Sequence, residues 1–132
     1  DIIKTITSLP KIFIHGAFRP NQILIEKNKN KLRVCPVDWE LGAFDSGIYD
    51  LAVIADGFEQ PKLDLILDNY RKQAERNGVE VPNNSDLYYI LNCYNLHRIF
   101  NWLSNAVERK YQENVIIKLI DMAEHLYYQM FL

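Results

Sequence analysis

Short apolar runs fill the first third of this chain, and apolar positions at helical spacing fill the rest. Residues 1–8 read as the end of a helix, with Ile2, Ile3 and Ile6 on one side. Ile12-Phe13-Ile14 is a brief β-favouring run that opens directly onto His15. Gln22 to Glu26 and Lys31 to Val37 are two further strand candidates, rich in Ile, Leu and Val. The polar stretch Lys27-Asn28-Lys29-Asn30 between them predicts a hairpin. Lys27, Lys29, Lys31 and Arg33 crowd its tip, where cations stay solvated and discourage pairing with another strand.

After Asp38 the period changes from strand-like to helix-like. Residues 47–57 place Ile48, Leu51, Ala52 and Ala55 on one face. Leu63, Ile66, Leu67, Tyr70 and Ala74 repeat at three- and four-residue steps, and Gly78 supplies a stop. A polar break from Pro82 to Ser85 precedes a long helix starting near Asp86, with Ser85 expected as its N-cap. That helix carries Leu87, Ile90, Leu91, Tyr94, Ile99, Trp102, Leu103 and Ala106. A last helix from about Gln112 is expected to bury Val115, Ile116, Leu119, Ile120, Ala123, Leu126, Tyr127 and Met130. The pattern predicts an α+β chain, mainly helical, with a small β-hairpin at one end.

Length and charge narrow the choices. With 132 residues the chain suits a single domain with a hydrophobic core. A net charge of −2 gives no electrostatic case for nucleic acid. No apolar run approaches the ~20 residues that span a bilayer, and no leader pattern opens the chain, so no membrane association is expected. Cys35 and Cys93 stand far apart, which suits a reducing compartment, and the expected location is the cytoplasm. Glycine-rich phosphate loops, zinc-ligand spacing and a serine nucleophile elbow are all absent from the sequence.

The chemistry-bearing segment is His15-Gly16-Ala17-Phe18-Arg19-Pro20-Asn21-Gln22-Ile23-Leu24, followed by Val37-Asp38-Trp39-Glu40 and Tyr49-Asp50-Leu51-Ala52. Transferring a phosphoryl group to a hydroxyl needs a group that positions the hydroxyl, a metal ligand, and donors for phosphate charge. A short strand, a rigid loop and a hairpin can present these at one point. In order and spacing, these segments resemble the aminoglycoside phosphotransferase and choline kinase family, relatives of the protein kinases. That family's loop typically reads His-Gly-Asp-Leu-His-Pro-x-Asn-Ile-Leu, followed by a hairpin, Asp-Trp/Phe-Glu and Tyr-Asp-Leu-Ala. The likeness covers roughly residues 9–58; beyond them only helical character agrees.

The resemblance implies a role for each matching position. His15 stands where a histidine supports the loop. Ala17 stands at the place of the family's catalytic Asp, so no side chain there can accept a proton. Gln22 takes the place of a metal-binding Asn, and its amide oxygen retains the capacity to coordinate. Asp38 corresponds to the principal magnesium ligand, and Asp50 to an aspartate that binds the loop backbone as scaffold. Arg19 is either a phosphate contact or an exposed surface cation, and Glu40 either supports the metal or faces solvent. Asn21, Asp45 and Ser46 are assigned no role.

The resemblance also implies a fold: the C-terminal lobe of a kinase-like protein, with the hairpin carrying the catalytic and metal loops. The implied reaction is ATP-dependent transfer to a hydroxyl on a small aminoglycoside-, choline- or sugar-like substrate. The alternative is a pseudokinase, a nucleotide-sensing or interaction module. Mg²⁺ and ATP are the expected cofactors of the full-length protein. The family's nucleotide-binding N-terminal lobe, which would be this lobe's partner, is not legible within these 132 residues, so neither cofactor is expected to bind well to this chain alone.

Overall fold

The computed structural model describes residues 2–131, with side chains described for all of these except Ile2, Ile3 and Thr5. The expected apolar face of Ile2 and Ile3 therefore lies outside the described side chains, and Asp1 outside the described residues. The chain is a mainly helical α+β fold. It divides between Val81 and Pro82 into two compact units.

The first unit opens with a short helix α1, Ile2–Thr7, and strand β1, Ile12–Ile14. Strands β2, Ile23–Asn28, and β3, Lys31–Pro36, form the expected hairpin in antiparallel register, with Ile25 opposite Val34 and Glu26 opposite Arg33. Its reversal is tighter than the expected four-residue turn, because Asn28 and Lys31 already pair and Lys29 takes φ 40°. Opposite charges at the Glu26–Arg33 pair favour this register. Both faces of the hairpin expose apolar side chains, Leu24 on one and Ile25, Leu32 and Val34 on the other. Strand β4, Ala43–Asp45, was not legible in advance. It pairs antiparallel with β1, setting Phe13 opposite Phe44.

Helix α2, Gly47–Ala55, starts at Ser46, whose hydroxyl oxygen accepts the Ile48 N–H at 3.2 Å. That cap satisfies one of the free donors of the first turn. Ile48, Leu51, Ala52 and Ala55 are buried as their spacing predicts, together with Val53. Ile14 joins them from β1, with the strand alternating so that Phe13 faces outward. Helix α3, Lys62–Arg76, is strongly amphipathic, buries Leu67 and ends before Gly78, whose φ of 71° terminates the turn.

The second unit is a helix pair, α4, Asn84–Ser104, packed with α5, Glu113–Phe131. The N-cap of α4 is Asn83, not the expected Ser85: its Oδ1 accepts the Asp86 N–H at 3.0 Å and its Nδ2 donates to Asp86 Oδ2 at 2.8 Å. Both candidates are good caps, and the helix begins two residues earlier because Asn83 can bond Asp86 at both ends of its amide. Leu87, Ile90, Leu91, Tyr94, Ile99 and Ala106 are buried in line with their period. On α5 the buried stripe is narrower than expected. Leu119 is buried, whereas Val115, Ile120 and Tyr127 are exposed, since one partner helix covers only one row of side chains. Among the described residues no helix is long and apolar enough to cross a membrane.

Candidate functional site

The loop after β1 is held from below by one carboxylate. Asp50, in the first turn of α2, accepts the backbone N–H of His15 at 2.6 Å and that of Gly16 at 2.9 Å. A carboxylate in that first turn also lies at the positive end of the helix dipole, so the helix favours the same charge that binds the loop. The Ser46 cap fixes where α2 begins and thereby where Asp50 sits.

His15 is almost fully buried and ties the loop to the far end of the hairpin. Its Nδ1 accepts the Ala17 N–H at 3.3 Å, which leaves Nε2 as the protonated nitrogen, donating to the Val37 carbonyl at 2.8 Å. These two bonds define the neutral Nε2–H tautomer and explain a buried histidine without any catalytic duty. Its ring lies 4.7 Å from that of Trp39 and 5.7 Å from that of Phe18. Trp39 is anchored in turn, its indole N–H donating to the Pro36 carbonyl at 3.1 Å, and its ring stacks on Phe13 at 5.9 Å.

Gly16 has φ 79°, and a Cβ at that position would overlap the Leu41 carbonyl. Only glycine combines this backbone angle with so close an approach. The loop thus touches the segment after Asp38 directly, backbone to backbone. Neither the Val37 acceptor nor the Leu41 contact was foreseen from sequence; the glycine after His15 was the one available signal.

Ala17 is buried and supplies no titratable group, and Arg19 is exposed just before the 3-10 turn Pro20–Gln22. Asp38 adopts the left-handed region, φ 67° and ψ 58°, which Asp tolerates better than most residues. It heads a second 3-10 turn, Trp39–Leu41, in which Glu40 is exposed. The structure brings Gln22 and Asp38 together: Gln22 Nε2 donates to Asp38 Oδ2 at 2.8 Å. Beside it the Val37 N–H donates to the Gln22 carbonyl at 2.9 Å.

Gln22 therefore presents its nitrogen to Asp38, whereas coordination of a shared cation would call for its oxygen. The side-chain oxygen, Oε1, is buried with no hydrogen-bond partner. Magnesium demands near-octahedral oxygen coordination at about 2.0–2.1 Å. Among the described residues no group of three or more His, Cys, Asp or Glu side chains is gathered for a metal ion. As arranged, with the amide nitrogen toward Asp38, the pair does not present two oxygens to a divalent cation. What remains is a rigid loop platform with an exposed guanidinium at Arg19, an amide-bound carboxylate at Asp38 and no proton acceptor at position 17. No protein-family model, curated protein or solved structure matches the chain.

Proposed function

We propose that this chain is the catalytic-loop lobe of a kinase-like small-molecule phosphotransferase protein, acting in the cytoplasm. The reaction class is transfer of the terminal phosphoryl group of ATP to a substrate hydroxyl. One observation carries the reading: two distant segments converge on the loop, Asp50 taking the His15 and Gly16 amides while the His15 ring takes the Val37 carbonyl. A loop so constrained is suited to positioning, which dominates phosphoryl transfer through a loose transition state. In that transfer the hydroxyl oxygen bonds to phosphorus as the bond to the ADP oxygen breaks, and the hydroxyl proton passes to solvent. Ala17 offers it no acceptor, and such a loss lowers the rate by roughly 10²–10⁴-fold. No step is assigned to Mg²⁺, because Gln22 turns its amide nitrogen, not its oxygen, toward Asp38.

A second reading, a pseudokinase serving as a nucleotide-sensing or interaction module, is favoured by the two altered positions together, Ala17 and Gln22, whose amide binds Asp38. Both readings are tested on the full-length protein by melting with and without ATP, then by ADP release before and after Ala17→Asp. Nucleotide stabilisation together with turnover gained in Ala17→Asp supports a degenerate phosphotransferase. Turnover already present in the native protein overturns the pseudokinase reading. Absence of any nucleotide-dependent shift in either form overturns the nucleotide role.

A further inference from the structure

The bond between Gln22 and Asp38 settles which end of the amide faces the carboxylate. Gln22 Nε2 donates to Asp38 Oδ2 at 2.8 Å, the orientation that gives the carboxylate a hydrogen-bond donor. Holding that orientation leaves Gln22 Oε1 buried and unpartnered, an arrangement that is costly unless something retains it. The negative charge of Asp38 retains it. Sixteen positions separate the two residues, and the Val37 N–H to Gln22 carbonyl bond runs alongside, so the loop and the end of β3 are joined by two adjacent rungs.

We propose that the Gln22 carboxamide occupies the role of a divalent cation at Asp38, so that the pair is a metal-independent clasp and the site takes up neither Mg²⁺ nor Mn²⁺. A cation would have to break the N–H···O bond, turn the amide and draw Oε1 out of its buried position. The clasp does what a shared ion does mechanically, fastening the loop to the acidic turn, and it adds no positive charge for a phosphate.

The test uses Mn²⁺ as probe on the full-length protein, with water-proton relaxation as the binding readout and melting temperature as the structural one. The wild type is expected to show no saturable Mn²⁺ uptake and the same melting temperature in Mg²⁺ as in EDTA. Gln22→Glu sets two carboxylates against each other; its melting temperature should fall in EDTA and recover with Mn²⁺, with saturable binding that Asp38→Asn abolishes. If Gln22→Glu does not fold, a cycle of Gln22→Met, Asp38→Asn and the double variant decides. The clasp requires the double variant to melt well above the additive expectation, and strict additivity overturns it. Saturable Mn²⁺ uptake by the wild type, lost in Asp38→Asn, also overturns it. The inference stands on the geometry of the pair, not on the phosphotransferase reading. Wild-type Mn²⁺ binding would defeat the clasp and leave that reading intact, while failure to bind nucleotide would defeat the reading and leave the clasp.

Discussion

Replacing Asp50 by Ala removes both acceptors from the loop in one step. The His15 and Gly16 amides then lose bonds of 2.6 and 2.9 Å to a charged group, at a place too enclosed for full rehydration. Bonds to charged groups contribute about 1.5–3 kcal/mol each, so the change should cost roughly 3–6 kcal/mol. Against a total stability of about 5–15 kcal/mol that is a large share, and it corresponds to a fall of about 10–20 °C in melting temperature for a chain of this length. Asp50→Asn keeps one acceptor oxygen and should lose about half as much. Denaturant unfolding measures the total, and amide hydrogen exchange localises it. In Asp50→Ala the His15 and Gly16 amides should exchange freely while amides of α5 keep their protection. Unchanged exchange at those two amides, or a stability loss below about 0.5 kcal/mol, would refute the role given to Asp50.

Gly16→Ala should destabilise by about 3 kcal/mol or more in the same unfolding assay, because left-handed strain adds to overlap with the Leu41 carbonyl; Gly78→Ala, where nothing lies within 4 Å of the added methyl, should cost only about 1–2 kcal/mol from the strain alone. Asn83→Ala should cost about 1 kcal/mol through loss of the α4 cap, whereas Ser85→Ala should change stability by less than about 0.5 kcal/mol. Cys35 is exposed and Cys93 buried, so a thiol reagent should label one cysteine per native chain and both in denaturant. Burial pushes the Cys93 thiol above its ordinary value of 9.0. With the folded value raised, the neutral thiol's contribution is fully present below that ordinary value and is lost as pH climbs through the raised one, so Cys93→Ala should flatten the alkaline limb of the stability–pH curve.

The helices and the hairpin were legible because their signals are local. Alternating Ile, Leu and Val around a polar tetrad is enough to write β2 and β3, and i, i+3, i+4 spacing is enough to write α2 to α5. Strand β4 has three residues, too few for any period, and exists only because Phe13 and its neighbours offer an edge thirty residues away in sequence. The cap of α4 was misjudged because Asn83 and Ser85 are both good caps, and only the two-ended bond to Asp86 separates them. At the candidate site the residue types were readable and their orientations were not. Gln22 carries an oxygen and a nitrogen on the same carbon, and which one meets Asp38 depends on charge and burial in the folded chain.

The backbone contact between Gly16 and the Leu41 carbonyl divides the loop into two kinds of position. Where geometry is carried, at Gly16, His15 and Asp50, any exchange disturbs the fold and is paid for at once in stability. Where reactivity would be carried, at Ala17 and Arg19, a side chain can change while the backbone keeps its course. Such a loop can exchange side chains in place and leave its outline intact. Anyone redesigning this loop would begin by rewriting position 17 and leave position 16 alone.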